Sequence, residues 1–87
     1  MTARQRFVSS MLAWLDARLV PPGVQVTATT PLFASGLISS IKVLELIAYT
    51  ERAIGRTIAD KDIRLDNFCT VERIAEAFVR GEDHAAA

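Results

Sequence analysis

The sequence predicts an all-α protein, a small bundle of three main helices plus one short helix. Three segments carry apolar residues at the spacing of three and four that places them on one side of a helix. A Pro-Pro-Gly run at 21–23 and glycines at 55 and 81 separate or end these segments. Residues 24–30 alternate like a strand, but no second strand is available to pair with them, so a loop is favoured there.

The first helix is indicated by an apolar stripe near the N-terminus. The stripe consists of Val8, Leu12, Leu15 and Leu19, flanked by Phe7, Met11 and Trp14. Because proline restricts the residue before it and donates no backbone hydrogen bond, Pro21 and Pro22 should end this helix near Val20.

A long loop follows at 23–39, with threonines, Pro31, Ser35 and Gly36. A loop of this length in a small domain needs apolar anchors in the core. We expect Leu32 and Phe33 to be those anchors.

The second helix should run from about Ser40 to Ile54, with Gly55 as a left-handed C-terminal cap. Its predicted core face consists of Val43, Leu46, Ile47, Thr50 and Ile54. Its other side consists of Ile41, Leu44, Glu45, Ala48 and Arg52.

Residues 57–66 form a short segment rich in charged residues. This favours one or two helical turns, with Ile58, Ile63 and Leu65 available for packing. Thr70 is then the predicted N-cap of the last helix, with Glu72 in its first turn and Arg80 in its last. The inner stripe of that helix consists of Val71, Ile74, Ala75 and Phe78. We expect Gly81 to end it.

The length of 87 residues, about half of them apolar, allows one small domain. We predict a domain at 1–81 and a disordered tail at 82–87.

Ten basic residues balance ten acidic residues, and this neutrality disfavours nucleic-acid binding. No apolar run approaches a membrane span. Asp16 and Arg18 interrupt the N-terminal apolar segment and no small-x-small cleavage site follows it, so a signal peptide is not indicated. We therefore expect a soluble, cytoplasmic monomer without membrane association.

The single Cys69 has no partner for an internal disulfide, and it is expected to be a small buried apolar residue. No paired Cys or His spacing indicates a metal site. Asp60, Asp62 and Asp66 form a small acidic region for which capping and solubility are sufficient explanations.

The segment at 36–41, Gly-Leu-Ile-Ser-Ser-Ile, places a serine where the long loop becomes the second helix. Free backbone N–H groups and the helix dipole favour a phosphate ester at such a junction. A helix cap is the alternative explanation for one of the two serines.

The segment 31–41, together with the Leu-Glu-Leu run at 44–46, resembles the modification motif of acyl and peptidyl carrier proteins. The resemblance extends over roughly Phe7 to Phe78 and implies an acyl-carrier-protein-like bundle. In this family a serine carries 4′-phosphopantetheine, which is transferred from coenzyme A. The register set by Glu45 makes Ser40 the attachment residue. Ser39 occupies the place usually held by Asp, so a carboxylate that the family uses near the metal and the transferase is missing.

The resemblance implies a freestanding acyl or aminoacyl carrier that holds biosynthetic intermediates as thioesters. Its implied partners are a phosphopantetheinyl transferase, an acyl- or aminoacyl-activating ligase, and downstream synthase or transferase enzymes. The residues expected to dock partners are Ile41, Lys42, Leu44, Glu45, Ala48 and Arg52.

The chain itself is not expected to be an enzyme. The only histidine, His84, falls in the predicted tail, so no Ser/His/Asp arrangement can be assembled from ordered segments. The alternative function is a small helical protein-interaction domain without a prosthetic group. A helix-turn-helix nucleic-acid binder ranks last, because no basic face is present.

Overall fold

The computed structural model describes residues 2–39 and 41–79. It contains three α-helices, α1 (Ala3–Arg18), α2 (Val43–Ile54) and α3 (Val71–Phe78). Two short 3-10 helices, Asp60–Asp62 and Leu65–Phe68, lie between α2 and α3. No strand is present in the described ranges, so the predictions of an all-α bundle and of a loop at 24–30 are confirmed.

The helix α1 begins with a cap at Thr2. The Thr2 hydroxyl accepts a hydrogen bond from the Gln5 N–H at 3.0 Å, and the Gln5 side chain accepts one from the Thr2 N–H at 2.9 Å. The helix ends at Arg18, two residues before the predicted end. Its innermost residues are Phe7, Met11 and Leu15, whereas the predicted Val8 and Leu12 are only half-buried.

The end of α2 and the beginning of α3 lie where their local sequence signals predict them. Gly55 caps α2 in the left-handed conformation, with φ of 76°. Thr70 caps α3, and its side chain accepts a hydrogen bond from the Arg73 N–H at 3.0 Å. The predicted end of α3 at Gly81 is wrong, because Val79 is already extended. Arg80 and the predicted tail at 82–87 lie outside the described residues.

The core lies where α1 and α3 face each other and α2 packs beside them. All four predicted inner residues of α3 are buried, and the Phe78 ring lies 5.3 Å from the Phe68 ring. The buried apolar residues are Phe7, Met11, Leu15, Leu19, Val20, Leu32, Ile38, Leu46, Ile58, Phe68, Val71, Ile74, Ala75, Phe78 and Val79. The buried Thr50 donates its hydroxyl to the Leu46 carbonyl at 2.8 Å, so this polar group is satisfied.

Backbone hydrogen bonds hold the long loop against the start of α3. The Leu32 N–H donates to the Cys69 carbonyl at 2.8 Å, and the Glu72 N–H donates to the Ala28 carbonyl at 2.9 Å. Leu32 is fully buried and Phe33 is half-buried, as expected for the loop anchors.

Two expectations about the region between α2 and α3 are wrong. Ile58 is buried as predicted, but Ile63 and Leu65 are exposed. Cys69 is exposed rather than buried, because the second 3-10 helix turns Phe68 into the core and leaves the next side chain outside.

None of the helices within 2–39 and 41–79 combines the length and the apolar character that a bilayer crossing requires.

Candidate functional site

The segment with the carrier-like motif is anchored in the core just before the serine pair. Gly36 adopts a φ of 80°, which favours glycine, and its N–H donates to the Phe33 carbonyl at 3.0 Å. Ile38 is only 2% exposed, and its N–H donates to the Leu32 carbonyl at 3.0 Å. The backbone that leads into the serine pair is therefore held in place.

The chain leaves the core after Ile38 and returns to it at Leu46, which is fully buried. Between these two residues the described side chains are exposed, except for the half-buried Val43. The exposed ones are Ser39, Ile41, Lys42, Leu44 and Glu45. Ser40, the predicted attachment residue, lies outside the described residues. Its two neighbours in the sequence are both exposed.

The start of α2 differs from the prediction. The helix begins at Val43 rather than near Ser40, because the preceding residues form a turn in which the Lys42 N–H donates to the Ser39 carbonyl at 3.0 Å. The N-cap residue is Lys42, and its side chain makes no capping hydrogen bond. The N-cap position of α2 is therefore not occupied by either of the two serines. The positive end of the helix dipole lies three residues after Ser40 along the chain.

All six residues predicted to dock partners are exposed. Ile41 and Leu44 are 80% and 70% exposed, more than any other large apolar residue in the described ranges. We call these two residues the apolar pair. The opposite side of α2 faces inward as predicted, with Leu46 and Thr50 buried.

Three of the six residues also line a groove of about 200 Å³ between α1 and α2. The groove is lined by Trp14, Arg18, Glu45, Ala48 and Arg52, and we call it the charged groove. The Trp14 ring is half-buried and stacks on the Tyr49 ring, with ring centroids 4.4 Å apart. Trp14 thus packs against a helix, as its position in the α1 pattern indicates.

The sequence pattern alone does not place Trp14 and Arg18 in the site. They are four residues apart on α1, so they lie on the same side of that helix. The spacing is visible in the sequence, but the sequence does not indicate that this side of α1 faces Glu45 and Arg52 of α2.

A larger cleft of about 440 Å³ lies at the other end of α2, where Ile54 meets Phe7 and Phe78. It contains none of the predicted site residues. It is therefore separate from the motif segment and the charged groove.

Other reactive groups do not form a second site in the part of the chain that the structure describes. No group of His, Cys, Asp and Glu side chains there could hold a metal ion, and Asp60, Asp62 and Asp66 do not form one. The Cys69 thiol is exposed and donates to the Asp66 carbonyl at 3.3 Å. His84 lies outside the described residues.

Comparison with protein-family models and with curated proteins found no match to this chain.

Proposed function

We propose that the protein is a phosphopantetheine-dependent acyl or aminoacyl carrier whose prosthetic group is attached to Ser40. The observation that carries this proposal is the motif segment between Ile38 and Leu46, which is anchored in the core at both ends and has exposed side chains between its anchors. A modification site must be reached by a second macromolecule, and an exposed segment on a fixed base permits that approach.

The residues around Ser40 suit a phosphodiester. Lys42 is exposed two residues after Ser40, and the N-terminus of α2 follows at Val43. A cation and the positive end of a helix dipole both favour a nearby phosphate. Ser39 and Ile41 are both exposed, so neither of the residues next to Ser40 in the sequence is buried in the core.

The chain would act as the substrate of a transferase. The Ser40 hydroxyl releases its proton and its oxygen forms a bond to the phosphorus of the phosphopantetheine half of coenzyme A. The P–O bond of the diphosphate that joins this half to the nucleotide breaks, and the nucleotide leaves with the other phosphate. When bound, the phosphopantetheine group supplies a thiol that carries the intermediate as a thioester. Tethering the intermediate raises its effective concentration at the active site of a partner enzyme. The activating ligase and the downstream synthase or transferase are further proposed partners.

The experiment is an intact-mass measurement after incubation with coenzyme A and a broad-specificity phosphopantetheinyl transferase. We expect the mass of one phosphopantetheine group to be added to the parent protein and to Ser39→Ala. Ser40→Ala is the matched variant and should gain nothing. Modification that persists in Ser40→Ala would overturn the site assignment.

The second candidate function is a helical interaction domain without a prosthetic group. The exposure of the apolar pair Ile41 and Leu44 favours it as much as it favours a carrier. Absence of any added mass in the parent protein, with a carrier of known activity modified in the same reaction, would support this alternative.

A further inference from the structure

We propose that the apolar pair and the charged groove form one docking surface for a partner protein that presents an apolar surface beside a cluster of carboxylates. The inference rests on the proposed function where it identifies the partner as an enzyme that acts on the carrier arm. Docking itself requires no arm, so it can be tested on the unmodified chain.

The apolar end of this surface is formed by Ile41 and Leu44. Single exposed apolar residues are common on proteins, but these two large aliphatic side chains are three positions apart and 80% and 70% exposed. Ile41 lies in the turn before α2, and Leu44 lies in its first turn. An apolar partner surface that covers both would remove from water the most exposed large apolar side chains in the described ranges.

The other end of the surface is cationic. Arg52 follows Leu44 by eight residues, which corresponds to about 12 Å along a helix axis. Arg18 of α1 lines the same groove as Arg52. The two ion pairs found within 2–39 and 41–79 are Arg64–Asp66 and Arg73–Glu76, so neither groove arginine takes part in one. Guanidinium groups bind carboxylates with two parallel hydrogen bonds, which makes carboxylates their matching groups on a partner.

The remaining charges on this face leave it with an excess of positive charge. Glu45 lies seven residues before Arg52, about 10 Å along the helix axis, and lines the same groove, so it offsets part but not all of the positive charge of Arg18 and Arg52. Lys42 is exposed beside the apolar pair. The face therefore presents three cations and one anion, counting Arg18. Because the whole chain is neutral, this local excess rather than the net charge would steer an acidic partner.

Trp14 provides a direct measurement of groove occupancy. It is the only tryptophan of the chain, it lines the groove and it is half-buried against Tyr49. A side chain that enters the groove should change the polarity around the indole, and with it the fluorescence of the protein.

The experiment is a fluorescence titration of the unmodified full chain with two synthetic helical peptides that lack tryptophan. Both carry the same leucine stripe, and one has glutamate where the other has lysine. We expect the glutamate peptide to bind at least about tenfold more tightly than the lysine peptide, and we expect added salt to weaken the binding of the glutamate peptide. The double variant Arg18→Glu with Arg52→Glu should remove or reverse this preference. The neutral double variant Arg18→Gln with Arg52→Gln should reduce it. Lys61→Glu with Arg64→Glu makes the same charge change at exposed residues elsewhere and should leave the preference unchanged.

Several outcomes would overturn the docking proposal. They are equal binding of the two peptides, tighter binding of the lysine peptide, or an unchanged preference in both groove variants, the Glu pair and the Gln pair. Self-association of the chain through Ile41 and Leu44 in sedimentation, abolished by Ile41→Ser with Leu44→Ser, would assign the face to a second copy and also overturn it. Ser40→Ala should bind the peptides like the parent. A chain that gains phosphopantetheine but shows no peptide preference would refute docking alone, and the reverse result would refute the carrier function alone.

Discussion

Truncation of two leucines that are two positions apart on α2 separates the packing face from the docking face. Leu46 is fully buried, and Leu46→Ala should destabilise the protein by about 2–5 kcal/mol through lost burial and the cavity left behind. A domain of 87 residues has a total stability of about 4–13 kcal/mol, so this one change removes a large part of it. Leu44 is 70% exposed, and Leu44→Ala should change the free energy of unfolding by no more than about 0.5 kcal/mol.

The measurement is urea unfolding of the parent and both variants, followed by far-ultraviolet circular dichroism and by the fluorescence of Trp14. Both variants make the same chemical change on the same helix, so each is the control for the other. We also expect Leu44→Ala to weaken binding of the glutamate peptide while it leaves stability unchanged. A loss of more than about 1.5 kcal/mol in Leu44→Ala would mean that Leu44 belongs to the core, and the docking surface would lose its apolar end.

Three further predictions concern the ends of helices and the free thiol. Thr70→Ala removes the cap on the Arg73 N–H and should lower the free energy of unfolding by about 1 kcal/mol, as measured in urea. Thr70→Ser keeps the hydroxyl and should retain most of that free energy. Equal losses in the two variants would mean that the cap contributes little. Gly55→Ala places a side chain at a φ of 76° in open space, so it should cost about 1–2 kcal/mol from backbone conformation alone, and Gly55→Asn less. Because Cys69 is exposed, the native unmodified protein should react with one equivalent of a thiol reagent and the phosphopantetheine form with two, while Cys69→Ser should lower each count by one. A thiol that reacts only after unfolding would contradict the exposed position of Cys69.

The sequence was sufficient for the features that depend on local signals. The inner stripe of α3, the glycine cap at Gly55 and the threonine cap at Thr70 all follow from residues within a few positions of one another. The division of α2 into an inward face with Leu46 and an outward face with Leu44 follows from helical periodicity in the same way.

The features that depend on packing between segments were not predictable in this way. The start of α2 is delayed to Val43 because burial of Ile38 and the turn from Ser39 to Lys42 determine where the helix begins. The N-cap has no side-chain hydrogen bond, so no local signal marks it. Cys69 is exposed because Phe68 occupies the inward position, and only the tertiary structure decides between these two neighbours.

The bonds between the long loop and the start of α3 have a consequence for local opening. The Leu32 N–H reaches Cys69, and the Glu72 N–H reaches Ala28, so each segment supplies a partner for a backbone group of the other. Neither amide can exchange its hydrogen with solvent unless the loop and the beginning of α3 separate. We therefore expect the two amides to exchange at similar, slow rates. A protease that requires a detached stretch around Leu32 would cut at a rate set by this joint opening.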